Sequence, residues 1–152
     1  MKTYYRKIFL LLLTTVALMT TNQLYAQQGL QISKVFEQYG KKKGVTMVQL
    51  TKEMMKGYNF SLFKSIVIEN NPEATDFARN CVEKDQEGAK KIKQVMQNGK
   101  VTSTVLQLSP RGKENRMILY NESLDEKKEM TLIYIESKMD VEDIMTTILK
   151  KK

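Results

Sequence analysis

The spacing of apolar residues changes from helical to alternating in the last third of this chain, and the switch outlines its elements. Ile32, Val35, Phe36 and Tyr39 recur at i, i+3, i+4 and i+7, the buried stripe of an amphipathic helix. Lys41, Lys42 and Lys43 suit the negative end of its dipole, and Gly44 stops it. Residues 45–50 (VTMVQL) are rich in β-branched side chains and predict a strand. Thr51 then caps a short helix that carries Glu53 and runs through Lys56 to Gly57. Residues 65–69 (SIVIE) are apolar at consecutive positions, as in a strand covered on both faces. Asn71 and Pro72 form a helix start, a cap followed by a proline at the first helical position. Ala74, Phe77, Ala78, Cys81 and Val82 make its buried stripe. Residues 85–88 (DQEG) interrupt the stripe, and a second helix carrying Ile92, Val95 and Met96 is predicted to stop at Asn98-Gly99.

Beyond Gly99 the period is that of strands. Residues 100–108, 115–121 and 129–136 read as three of them, separated by Ser109-Pro110-Arg111-Gly112 and by residues 122–128. Connections this short join antiparallel neighbours, so the three form a meander. Residues 131–135 (TLIYI) are the most apolar and are placed centrally in the sheet. Asp140 caps a final helix, with Asp143 three residues on and Val141, Ile144, Met145 and Ile148 as its stripe. The fold expected is a single α+β domain over residues 27–152, with about five mostly antiparallel strands and helices packed chiefly on one face. The pairing of 45–50 with 65–69 stays open between a parallel crossover and an antiparallel return.

Residues 1–26 stand apart from this pattern. Lys2, Arg6 and Lys7 form a basic head, residues 8–19 an apolar run of 12, and Ala26 a small residue at the cleavage position. That order predicts a secretory signal peptide cut before Gln27, and the run is short of the roughly 20 residues that span a bilayer. The mature protein is expected in the periplasm or outside the cell, with no stable membrane insertion. The lone Cys81 allows no intramolecular disulfide and leaves no lipid-bearing cysteine at position 27.

Residues 27–152 hold 22 basic and 17 acidic residues, a net +5, and 19 of the basic ones are lysine. Arginine's planar fork is what phosphate and base recognition favours, and the clusters 41–43, 90–93 and 150–152 lack interleaved aromatics. The expectation is a solvated surface and no nucleic-acid partner, with weak attraction to anionic lipid or polysaccharide as the alternative. Without histidine there is no Ser-His or Cys-His pair. Cys81 lies on an apolar stripe and reads as packing. The methionines, including Met54-Met55, read as core filling in preference to a copper(I) site. Glu69 and Glu136 both end apolar strands and are the candidates for paired-carboxylate chemistry, although glutamate at a strand exit is commonplace. Asp140 and Asp143 read as helix-start residues. Asn121-Glu122-Ser123 matches the glycosylation triplet on what reads as a turn. No catalytic, cofactor-binding or metal-ligating residue is assigned, and no cofactor is expected.

The helix ending before residues 45–55 (VTMVQLTKEMM), the strand 66–69 and the run 132–144 (LIYIESKMDVEDI) together resemble a family of small exported proteins of unknown function found mainly in Bacteroidetes. Some of its members are lipid-anchored, and this chain departs from them in lacking the cysteine. The resemblance implies an envelope location and, from the genes near some relatives, a link to extracytoplasmic sigma-factor signalling. It carries over no catalytic residue. The expected function is a non-enzymatic binding or accessory module that contacts another envelope protein. The alternative is a histidine-free, carboxylate-dependent hydrolase or lyase acting on a glycan.

Overall fold

The computed structural model describes residues 29–149; the segment 1–26 expected to be a signal peptide and the lysines at 150–152 lie outside them. The unit that begins at Gln31 is built on one sheet of six strands, all antiparallel. Helix α1 (Ser33–Tyr39) leads to β1 (Val45–Thr51) and β2 (Phe60–Glu69). Helix α2 (Pro72–Gln86) precedes the meander of β3 (Ala89–Gln97), β4 (Lys100–Arg111), β5 (Glu114–Glu122) and β6 (Glu129–Ser137), and α3 (Val141–Leu149) follows. The spatial order is β1-β2-β6-β5-β4-β3, so β6 is interior as its apolar sequence predicts. Strands β1 and β2 pair antiparallel, with Val45 opposite Ile68 and Leu50 opposite Phe63, which settles their open pairing.

Residues directly opposite in an antiparallel ladder share a face. Ile66, Leu132, Ile118, Tyr120 and Leu106 therefore line a first face, all of them buried. Helices α1 and α2 cover it with Ile32, Val35, Phe36, Ala74, Ala78, Cys81 and Val82. Lys64 holds its ammonium over the Phe36 ring, and Arg79 of α2 reaches Glu122 of β5. The second face carries Phe63, Ile135, Met117 and Val105, and α3 packs on it through fully buried Ile144. Among the described residues helices thus cover both faces, two on the first and one on the second.

Three expectations are corrected. Residues 89–97 form strand β3 where a second helix was expected. Asn98 and Gly99 have φ of 52° and 75°, and Gln97 pairs with Lys100, so the Asn-Gly pair turns a two-residue hairpin and is no helix stop. Asp85 does not interrupt α2 but lies buried within it, where its carboxylate accepts the Gln31 and Ile32 N–H groups at 2.8 and 3.0 Å. It holds the chain just ahead of α1, accepting the N–H groups of the two residues that lead into the helix. Residues 52–57 make hydrogen-bonded turns and no helix: Met54 and Met55 donate to Thr51 O, and Gly57 leaves at φ +97°.

Elsewhere the local chemistry acts as expected. The Asn71 side chain accepts the Ala74 N–H at 3.0 Å, with Pro72 at the first helical position. Helix α1 ends one turn earlier than Gly44, at Gly40, which packs so tightly against Phe36 O and the Met47 sulfur that a Cβ there would clash. Gly44, at φ +78°, redirects the chain into β1.

Candidate functional site

Glutamates at the strand exits are where the sequence places candidate chemistry, and the structure separates them. Glu69 pairs with Glu129 of β6, whereas Glu136 sits seven residues further along the same strand. At the rise of a β-strand this separation is about 23 Å, so these two carboxylates do not face one another. Glu136 is buried, accepts the Tyr134 hydroxyl at 2.7 Å, and is ion-paired with Arg111.

A matching cluster sits at the other end of β5 and β6. Glu122 accepts Lys100 Nζ and Arg79 Nη2, each at 2.7 Å, and the Tyr120 hydroxyl at 3.0 Å. Arg79 also bonds Asp76 at 2.7 Å. Burial favours the neutral acid of Glu122, but its three donors outweigh it and hold the carboxyl below its ordinary pKa. Burial, with a neighbouring glutamate, pushes both Tyr120 and Tyr134 upward. Arg79 stays cationic because Glu122 and Asp76 outweigh its own desolvation. Sequence reasoning overlooked both clusters. Their signal was Tyr-x-Glu, at 120–122 and 134–136, since residues two apart on a strand share a face. Their arginines come from α2 and β4 and had no local signature. Each cluster ties neighbouring elements together, and among the described residues Arg79 Nε is a buried side-chain atom left without a partner.

The remaining candidates disperse. Cys81 is buried on α2, and burial together with the Asp85 charge raises its thiol pKa, the opposite of activation. Met54 and Met55 diverge, at 67% and 5% exposed, so core filling describes Met55, Met117 and Met130 but neither Met54 nor Met96. Asp140 Oδ1 accepts the Val141 N–H at 2.6 Å at the start of α3, while Asp143 accepts the Thr147 hydroxyl through its backbone oxygen. Asn121 lies exposed within β5 and not on a turn. Among the described residues no group of three or more acidic or sulfur ligands could hold a metal ion.

What remains is a cleft on the second face. Helix α3 covers that face over Met117 and Ile135, leaving a space of about 510 Å³ between α3 and strands β3 and β4. Val105, Val141 and Met145 supply its apolar lining, Lys91 and Lys93 its basic wall, and Asp140 and Glu142 its acidic wall. The β3 register places Lys91 opposite Gln107 and Lys93 opposite Val105, so both lysines share the face on which α3 lies. No ion pair joins the two walls among the described residues. The arrangement offers an open trough with an apolar floor and opposite charges along its sides, a combination suited to gripping a polypeptide segment.

A family profile described as "Family of unknown function (DUF6108)" matches residues 19–148, and the chain belongs to that family. No curated protein matches the sequence.

Proposed function

We propose that this member of a family without an assigned function is an exported, non-enzymatic binding or accessory module, and that it contacts another protein of the cell envelope through the cleft beside α3. One observation carries the reading: Glu122 and buried Glu136 are bound up in structural networks, while the concave surface beside α3 is left open with unpaired charges on both sides. Export rests on the basic head, the 12-residue apolar run and Ala26. Photo-crosslinking side chains at Gln107 and Met145, with a control at exposed Glu37 on α1, test it in the producing cell. The expected result is a discrete adduct from the two cleft positions that the control does not give. Equal labelling at all three, or none, would contradict the reading.

A second reading is a carboxylate-dependent hydrolase or lyase acting on a glycan, favoured by the presence of Asp140 and Glu142 in one cleft. It requires turnover of cell-wall or dietary glycan fragments that Glu142→Gln abolishes. Fragments left intact by the native protein would remove it.

A further inference from the structure

We propose that the free edge of β3 receives an extended segment of a partner protein, acidic and apolar at alternate positions, as a seventh strand of the sheet. The inference rests on the binding-module reading and names the partner's chemistry. Strand β3 ends the sheet, so every other residue along its outer side presents an unpaired N–H and C=O. Eight of its nine residues are exposed, among them Ile92, Val95 and Met96 at 45%, 52% and 63%. Apolar side chains on an open strand edge are the template that strand addition uses.

Charge selects the occupant. Residues 88–113, the β3–β4 hairpin and the turn that follows it, contain six basic residues and no acidic one. Of these, Lys100 and Arg111 are held by Glu122 and Glu136, whereas Lys90, Lys91 and Lys93 form no ion pair among the described residues. A second copy pairing edge to edge would bring two sets of β3 lysines together, so the edge repels its own kind, a usual protection for exposed strands. An acidic strand meets the opposite condition. Register fixes its period. Lys91, Lys93 and Val95 lie on the second face and Ile92 and Gln94 on the first, so the incoming strand places carboxylates toward the two lysines and, at the alternate position, an apolar group toward Ile92.

The test uses the protein as its host processes it, with a short peptide alternating glutamate and valine. A peptide of the same composition, with its glutamates and valines in two blocks, is the control. The expected result is binding of the alternating peptide that slows amide hydrogen exchange along β3 but not along the opposite edge strand β1. Double charge reversal, Lys91→Glu with Lys93→Glu, should weaken binding about tenfold with unchanged circular dichroism. Equal binding of the block peptide, protection at β1, or no binding would overturn the inference. So would slowed β3 exchange without peptide that depends on protein concentration, which identifies a second copy as the occupant. Capture by phosphatidylglycerol vesicles without β3 protection would assign the lysines to a membrane surface and overturn it too. Adducts at Gln107 and Met145 alongside failure of the peptide would leave the binding module standing and remove only the strand.

Discussion

At the scale of single residues, buried Asp85 and partly buried Glu122 respond to acid in opposite directions. Asp85 is desolvated in the core, and this outweighs the two N–H groups it accepts and the nearby Lys34, so its pKa is raised. A raised folded pKa means the native state binds the proton more readily than the unfolded chain. Its contribution is therefore fully present below the ordinary carboxylate pKa of about 4 and is lost as pH rises through the folded value. Glu122 behaves in the reverse sense. Its lowered pKa contributes stability that is present above the ordinary value and lost as pH falls through the folded one. Denaturant melts across mildly acidic pH should show Glu122→Gln reducing the loss of stability toward low pH, and Asp85→Asn reducing the loss as pH rises from there. If both variants keep the native profile, these groups do not govern acid stability. At neutral pH, Asp85→Ala should cost about 1–3 kcal/mol because it leaves buried N–H groups just ahead of α1 without acceptors. A variant as stable as the native protein would show that Asp85 does not anchor that helix.

At the scale of elements, α3 joins the cleft to the core. Ile144 is fully buried against the cluster of Met117 and Ile135, while Asp140 accepts one backbone N–H at the surface. Ile144→Ala should cost about 2–5 kcal/mol through lost burial and a cavity, and Asp140→Ala about 0.5–2 kcal/mol. The reverse order in denaturant melts would mean that α3 is not docked. The elements legible in the sequence were those whose pattern depends only on near neighbours: the α1 stripe, β1, the second half of β2, the Asn71-Pro72 start, β4, β5, β6 and α3. Strand β3 was missed because Ile92, Val95 and Met96 fall at helical spacing, although none of them is buried by a helix face. Their spacing reflects an exposed edge, where no core selects a period of two. The Asn-Gly pair that would have revealed the hairpin is also a common helix terminator. Asp85 misled for a different reason: its partners, Gln31 and Ile32, are more than fifty residues away. The cleft was illegible as well, since it exists only where α3 stops short of β3. Its lysines could be counted from the sequence but not assigned to a face until β3 was a strand.

At the scale of the whole molecule, the charge is unevenly placed and the proposed export is open to direct test. The β3–β4 hairpin holds five basic residues and no acidic one, against a net +5 for residues 27–152, so the positive excess is concentrated in that hairpin. No helix among the described residues is long and apolar enough to cross a membrane. Mass spectrometry of the protein from its producer should give a chain beginning at Gln27, and an intact Met1 would contradict the export on which the envelope role depends. The most direct test of the binding role is amide hydrogen exchange, comparing the protein held in its native envelope fraction with the same protein purified alone. Slower exchange in the envelope confined to β3 and α3, the two walls of the cleft, is the predicted result. Identical exchange in the two settings, or protection centred on α1 and α2, would contradict it.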